Sequence, residues 1–311
     1  MKILFYGAGE FGLPTLEYLN EKHEVVMVIS QPDRPAGRKR VLTPTAISAW
    51  AMAHGVALLR TDDANGDEVV ERVEGLGVGA SVVVAFGQKL SGVLIAASGG
   101  LVVNLHSSLL PKYRGAAPIN WAMIKGERVT GVSVIELAQR MDAGKVYGSE
   151  ELVIDSMETA GELHDRLAGI GPGVVGRVLA DFEMGCLAGV VQDEDLACPA
   201  PKFRKGDGVI DFDLPAKAVR ARVHGLTPWP GAKVCWRGAG GGEKVLKLLR
   251  VRHDPGCVHE LVAGEMLDDR RVACGEGSVL ELLEVQAPGG KALKIADFLR
   301  GNAMGAGDIL V

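Results

Sequence analysis

Hydrophobic positions in the first half of the chain occur as short β-branched runs that alternate with amphipathic stretches. This is the pattern of a parallel sheet flanked by helices. It predicts strands at residues 2–6, 24–30, 56–59, 80–85 and 101–105, and helices at 10–20, 45–54 and 67–74. A strand pair is predicted at 130–137 and 145–154, followed by a long helical segment at 157–185, which Pro172 is expected to kink or divide.

The pattern changes near residue 191. Residues 191–205 lose the periodicity and gather proline and charge, as a linker does. Beyond them a helical pattern occurs only at 215–224, and short apolar runs at 232–236, 245–251 and 278–285 are separated by Gly-rich turns. We therefore predict an α/β protein with a Rossmann-like parallel-sheet domain at 1–190, a linker at 191–205 and a small OB-like β-barrel at 206–311.

Composition restricts the classes of protein to which the chain can belong. The 311 residues are 47% hydrophobic and 23% charged, which is ordinary for a globular chain of two domains. No apolar stretch approaches the roughly 18 residues of a membrane span, and the N-terminus runs directly into a strand pattern instead of a signal peptide. The five cysteines are odd in number and form no C-x-x-C pair. We expect a cytoplasmic monomer with free thiols, no metal and no membrane contact.

The net charge of −5 is unevenly distributed. Residues 1–195 hold 17 Lys and Arg against 25 Asp and Glu, or −8, whereas residues 196–311 hold 17 against 14, or +3. The mildly basic C-terminal part is compatible with a polyanionic partner, but a solvated surface produces the same balance more often.

Three glycines follow the first predicted strand. Gly7, Gly9 and Gly12 have the G-x-G-x-x-G spacing of a dinucleotide-binding turn, and Asp33 lies about where an acidic residue would hold the ribose. However, Asp33 belongs to "QPDRPAGRKR", a proline-containing basic segment that is expected to project outward. Any turn from a strand to a helix favours glycine, so the motif leaves both a nicotinamide site and a structural turn open.

Polar residues that could take part in catalysis or binding follow the fifth predicted strand. Ligands bind at the carboxyl ends of strands in open α/β sheets, and Asn104 and His106 stand there in "NLHSSLLP". They alternate across Leu105, so both point to one side of an extended strand. Asp142, in "RMDAGKV", stands in a turn from which a carboxylate could reach His106. Taken singly, a core or capping histidine and a turn aspartate remain alternatives.

The combined pattern resembles a known family. The formyltransferases that use 10-formyltetrahydrofolate carry Asn-x-His-x-Ser-Leu-Leu-Pro, followed by an Asp in a later x-Asp-x-Gly turn. The matching positions are Asn104, His106, Ser108, Leu109, Leu110, Pro111 and Asp142. Further segments at 31–38, 114–122, 159–167, 200–212, 227–232 and 296–301 are also similar, so the resemblance covers nearly the whole chain.

The resemblance implies attack of an amine on the formyl carbon through a tetrahedral intermediate. It assigns Asn104 and His106 to the oxyanion and Asp142 to orienting His106 and relaying a proton. It also implies that the folate lies along "AFGQKLSG" and the Ser-Leu-Leu-Pro segment. The residues implied in folate binding are Gly87, Gln88, Leu90, Ser108, Leu109, Leu110 and Pro111. In such a protein Gly7, Gly9 and Gly12 are structural and bind no NAD.

The segments are most similar to those of the members whose acceptor is methionyl-initiator tRNA, the substrate of translation initiation. The resemblance then implies tRNA contacts by Arg38, Lys39 and Arg40 in the outward segment and by Lys202, Arg204 and Lys205 after the linker. Two relatives with the same catalytic residues are the alternatives: a formyltransferase for nucleotide-linked amino sugars and a formyltetrahydrofolate hydrolase. An oxidoreductase or a nucleotide-sensing module remains only if the glycine turn binds a ligand.

Overall fold

A computed structural model describes residues 1–37, 40–238 and 241–311 of the chain. Its strands are β1 (Lys2–Gly7), β2 (Glu24–Ser30), β3 (Arg34–Ala36), β4 (Val41–Thr43), β5 (Leu58–Arg60), β6 (Ala80–Val84), β7 (Leu101–His106), β8 (Arg114–Gly115), β9 (Val129–Glu136), β10 (Val146–Val153), β11 (Pro199–Ala200), β12 (Ala232–Arg237), β13 (Glu243–Val258), β14 (Arg271–Ala273), β15 (Ser278–Gln286), β16 (Ala292–Lys294) and β17 (Ile309–Leu310). Its helices are α1 (Leu13–Lys22), α2 (Ala46–Ala53), α3 (Asp67–Glu74), α4 (Gly92–Ala97), α5 (Pro118–Ile124), α6 (Ala160–Glu183), α7 (Ala216–Gly225) and α8 (Ile295–Leu299).

The chain divides into two compact units. The first comprises Met1–Gly115, Gly131–Leu152 and His164–Pro199, and the second comprises Ala116–Thr130, Val153–Leu163 and Ala200–Val311. The division into 1–190, 191–205 and 206–311 stays a prediction for the functional modules.

The first unit contains the predicted Rossmann-like sheet. Its strand order is β10-β9-β7-β6-β1-β2-β5, with parallel pairing from β7 through β5 and an antiparallel step from β7 to β9. The strands are apolar without alternation, as in β1 and β6, because both faces of a parallel sheet are covered. The carboxyl ends of β1, β2, β6 and β7 therefore lie along one edge, which is where ligands bind in such sheets.

Two helices start later than the hydrophobic pattern predicts. The helix predicted at 10–20 begins as a 3-10 turn, Glu10–Gly12, before α1. The segment predicted from 157 becomes helical only at Ala160, because Glu162 Oε2 accepts from Thr159 N at 2.7 Å while Thr159 Oγ1 accepts from Glu162 N at 3.4 Å. Pro172 lies inside α6, which continues through it as one helix. The hydrophobic pattern does not predict α4, α5 or the hairpin of β3 and β4, because such short elements show no clear period.

The second unit is built on an antiparallel sheet with the order β14-β15-β13-β12-β17, to which β16 is added beside β15. Isolated bridges from Glu265 to Ile309 and from Met266 to Val272 join the outer strands β17 and β14. The sheet thus closes into the small barrel that the sequence predicts. Helix α7 packs on β13 and contributes Val219 to the core. None of the described helices is both long enough and apolar enough to cross a lipid bilayer.

Candidate active site

The site is built on the end of β7. Asn104 and His106 share one face of this strand, whose neighbours are β6 and β9. His106 is buried, and Asn104 is half-buried. Among the described residues, the Asn104 side chain has no hydrogen-bond partner, so its amide is available to a ligand.

The ring of His106 is oriented by a backbone carbonyl. His106 Nε2 lies 3.0 Å from the carbonyl oxygen of Tyr113. A carbonyl oxygen can only accept, so Nε2 carries the hydrogen, and the neutral ring keeps its lone pair on Nδ1. The ring can therefore take up a further proton only at Nδ1.

Nδ1 faces the carboxylate of Asp142. The distance from Nδ1 to Asp142 Oδ2 is 3.7 Å, which is within reach of an ion pair but too long for a hydrogen bond. The same Oδ2 accepts a hydrogen bond from Gly115 N at 2.9 Å. Asp142 has a φ of 52°, in the left-handed region that residues other than glycine rarely adopt. The sequence expectation that Asp142 reaches back to His106 agrees with this geometry.

The turn after β7 is held by serine hydroxyls. Ser108 is fully buried, and its Oγ donates to the carbonyl of Lys112 at 2.7 Å. Ser133 Oγ donates to the Ser108 carbonyl at 2.8 Å and accepts from Leu110 N at 3.1 Å. Ser108 therefore supports the turn from inside, whereas Leu109, Leu110 and Pro111 are half-buried beside it.

The loop after β6 leaves backbone groups available. The side chain of Gln88 is engaged, since it accepts from Ala64 N at 2.8 Å and donates to the Thr61 carbonyl at 2.7 Å. Gly87 has a φ of 80°, and a side chain there would collide with Gln31 Nε2. Within the described part of the chain, the backbone groups of Gly87, Gln88 and Leu90 have no recorded hydrogen-bond partner. These backbone groups are therefore free to pair with the hydrogen-bonding edge of a ligand.

The glycine turn after β1 is explained by packing. A Cβ on Gly7 would lie 2.6 Å from Phe5 Cε1 and 3.1 Å from the Val84 carbonyl oxygen, and a Cβ on Gly12 would lie 3.3 Å from Phe5 Cζ. Asp33 forms an ion pair with Arg60 at 3.3 Å. These contacts account for Gly7, Gly12 and Asp33 without a dinucleotide.

The predicted tRNA contacts that the structure describes are exposed. Arg40 is exposed beside the hairpin of β3 and β4, whereas Arg38 and Lys39 lie outside the described residues. Both strands of this hairpin are exposed throughout, including the large side chain of Leu42. Lys202, Arg204 and Lys205, in the second unit, are exposed as well.

The sequence did not predict three groups that belong to the site. They are the Tyr113 carbonyl, the Gly115 amide and the side chain of Gln192. The first two are backbone groups, which exist at every position and therefore give no signal in the sequence. Gln192 falls in the segment interpreted as a linker, and its side chain donates to the carbonyls of Asp142 and Gly144 at 2.8 Å each.

Known proteins are similar to this chain over nearly its whole length. The family model described as Formyl transferase matches residues 1–179, and the one described as Formyl transferase, C-terminal domain, matches residues 202–303. A methionyl-tRNA formyltransferase of Citrifermentans bemidjiense is 38% identical over 100% of this chain and 96% of its own length. One from Staphylococcus epidermidis is 33% identical over 96% of each chain.

Solved structures share the fold. An N-formyltransferase from Helicobacter canadensis, in complex with folinic acid and dTDP-3-aminofucose, has a TM-score of 0.68 at 13% identity over 91% of this chain and 98% of that chain. HypX from Aquifex aeolicus, in complex with tetrahydrofolic acid, has a TM-score of 0.64 at 20% identity over 96% of this chain and 47% of that chain. The family models and the full-length relatives place the chain in a family: it belongs to the methionyl-tRNA formyltransferases.

Proposed function

We propose that this protein transfers the formyl group of 10-formyltetrahydrofolate to the α-amine of methionyl-initiator tRNA, for translation initiation. The observation that carries the proposal is the pairing of His106 with Asp142 on the face of β7 that also presents the Asn104 amide. The names of the full-length relatives support the same reaction.

The attack of an amine on a formyl carbon places negative charge on the formyl oxygen. In our proposal the Asn104 amide donates one hydrogen bond to this oxygen, and protonated Nδ1 of His106 donates a second. Nε2 is not available for this role because it donates to the Tyr113 carbonyl. The carboxylate of Asp142, 3.7 Å from Nδ1, stabilises the imidazolium.

Two protons must also move. The attacking amine loses one, and the folate nitrogen gains one as it leaves. Asp142 is the proposed acceptor of the amine proton, directly or through a water, because its Oδ2 is held by Gly115 N beside the proton-carrying ring. The imidazolium of His106 then gives its Nδ1 proton to the leaving folate nitrogen, directly or through a water, and regains a proton from Asp142, so the pair ends in its starting state.

The proposed folate site is the edge formed by the loops after β6 and β7. Unpartnered backbone groups of Gly87, Gln88 and Leu90 fit the hydrogen-bonding edge of a pterin, and Leu109 and Leu110 supply apolar contacts beside it. Folate carries the activated formyl group, and the protein supplies orientation and electrostatics.

The acceptor RNA is proposed to contact two basic segments, one at residues 38–40 beside the hairpin of β3 and β4 and one formed by Lys202, Arg204 and Lys205. Exposed Arg and Lys bind phosphates, and Arg also stacks on bases. We further propose that the protein acts in the cytoplasm as a monomer and uses no metal.

The decisive experiment offers several acceptors to the full chain with 10-formyltetrahydrofolate labelled in the formyl carbon. We expect label on methionyl-initiator tRNA and none on uncharged tRNA or on methionyl-tRNA whose amine is acetylated. Transfer to a nucleotide-linked amino sugar, or release as formate with no acceptor present, at rates that exceed formylation of the tRNA would reject the proposal.

A further inference from the structure

We infer that Gln192 is a positioning residue for Asp142, and that its side-chain amide holds the Asp142 turn in the geometry that catalysis needs. The inference rests on the proposed role of Asp142. It concerns a residue 50 positions away in sequence, in a segment whose pattern resembles a linker.

All the polar atoms of the Gln192 side chain are used. Nε2 donates to the carbonyl of Asp142 at 2.8 Å and to that of Gly144 at 2.8 Å. Oε1 accepts from Arg114 Nε at 3.1 Å and from Arg114 Nη2 at 2.8 Å. Gln192 is 7% exposed, so a broken bond would leave a buried polar atom unpaired. This is a fully satisfied buried network, which rigidifies its surroundings.

The Asp142 turn needs such support. Asp142 has a φ of 52°, a backbone conformation that is unfavourable for a residue with a side chain and persists only when its surroundings impose it. Within the turn, Ala143 N donates to the Arg140 carbonyl at 3.3 Å, which is a long bond. The two short bonds from Gln192 therefore hold the carbonyls of Asp142 and Gly144, the residues on either side of Ala143.

The residue that binds the Gln192 side chain is adjacent in sequence to the residue that binds the carboxylate of Asp142. Arg114 holds Gln192, while the next residue, Gly115, donates to Asp142 Oδ2 at 2.9 Å. Arg114 is fixed in turn by a two-point ion pair with Glu194, at 3.0 Å for each bond. The hydrogen bonds from Arg114 and the charge of Arg140 lower the pKa of the Glu194 carboxyl, so that it stays ionised. One segment thus fixes both the backbone and the carboxylate of Asp142.

Two substitutions separate the functions of the Gln192 side chain. Gln192→Leu removes all its hydrogen bonds. Gln192→Glu keeps the shape and the acceptor for Arg114 but removes the amide that donates to Asp142 and Gly144. We expect both variants to lower kcat about tenfold or more while KM for the folate changes less than twofold, because a misplacement of about 1 Å costs up to 10²-fold in rate. Gln286→Leu, which removes a single bond to Gly290 on the barrel, is the matched control and should keep the wild-type kcat.

A double-mutant cycle with Asp142→Asn tests whether Gln192 acts through Asp142. If it does, Gln192→Leu causes no further loss of kcat in the Asp142→Asn background. The inference would be overturned if Gln192→Leu lowered kcat by the same factor in the Asp142→Asn background as in the wild type. A Gln192→Glu variant with wild-type kcat would also overturn it. If Gln192→Leu does not fold, the near-isosteric Gln192→Glu carries the cycle. The proposed role of Asp142 is tested separately, since its failure appears as normal turnover in Asp142→Asn alone, whereas failure of the proposed function appears as transfer to another acceptor by the wild-type chain.

Discussion

His106 and Tyr113 are linked by a hydrogen bond from a ring nitrogen to a backbone oxygen, with 3.0 Å between Nε2 and the carbonyl oxygen. The bond selects the Nε2–H form of the neutral ring and leaves Nδ1 as the atom that faces Asp142. A proton that His106 takes up therefore binds to Nδ1, the nitrogen on the side of the carboxylate. Tyr113 has a φ of 62°, so this carbonyl is aimed by an uncommon backbone conformation.

His106→Ala and Asp142→Asn are expected to lower kcat by about 10²- to 10³-fold each, because each removes one element of charge stabilisation at the formyl oxygen. Folate binding and folding should persist in both variants, and Asp142→Asn should keep a melting temperature close to wild type, since Asn at 142 can still accept from Gly115 N. Single-turnover formylation and fluorescence titration with a folate analogue measure the two effects. Near-normal turnover in either variant would remove that residue from the mechanism.

Replacing Arg38, Lys39 and Arg40 with Ala is expected to lower kcat/KM for methionyl-tRNA at least about tenfold, or about 1.4 kcal/mol. The loss of phosphate contacts should also flatten the dependence of kcat/KM on salt. Folate affinity should not change. The control replaces Lys22 and Arg72, which are exposed on α1 and α3. A triple variant with wild-type rate and salt slope would show that the segment is a solvated surface.

Gly144→Ala is expected to lower kcat by about 10²-fold, because the added Cβ collides with the carbonyl oxygen of Glu136 and displaces the Asp142 turn. The matched control is Gly169→Ala on the exposed side of α6, where a Cβ meets nothing within 4 Å. That change should leave kcat unaltered and raise the free energy of unfolding by about 0.5–1 kcal/mol, because alanine loses less backbone entropy in a helix. Equal effects of the two substitutions on kcat would contradict the packing argument.

Stability is expected to fall in mild acid because of His224. Burial lowers the pKa of His224 from 6.5 to about 4, with smaller contributions from Arg220 and Arg250, and its Nε2 accepts from Val251 N at 3.1 Å. The unfolded chain binds the proton near pH 6.5 and the folded chain only near pH 4. The contribution of the neutral ring is therefore complete above pH 6.5 and is lost as the pH falls to about 4, a change of about 3 kcal/mol.

The measurement compares the free energy of unfolding of wild type and His224→Gln from pH 7.5 to 4. Other groups that titrate in this range cancel in the difference. We expect the advantage of the wild type to shrink steadily below pH 6.5. A difference that does not vary with pH would assign the acid sensitivity to other groups.

Local patterns in the sequence predicted most of the sheet and the three positions proposed as catalytic, Asn104, His106 and Asp142. Strand β2 and helix α3 begin and end where their hydrophobic periodicity predicts, at Glu24–Ser30 and Asp67–Glu74. Asn104 and His106 face one side because the side chains of a strand alternate with a period of two. The barrel was predicted as well, because antiparallel strands separated by Gly-rich turns have a local signature. These features depend on residues that are neighbours in sequence.

Only the tertiary structure decided how the site is held. The Tyr113 carbonyl selects the proton position on His106. The Gly115 amide binds the carboxylate of Asp142. Gln192, 50 residues away in sequence, donates a hydrogen bond to the backbone carbonyl of Asp142. Every residue has a backbone carbonyl and every residue but proline an amide, so nothing in the sequence distinguishes the ones that are aimed at a catalytic group. Gln192 has no periodicity around it, and its role depends on contacts distant in sequence, which form only when the chain folds and brings β8, the Asp142 turn and residues 192–194 together.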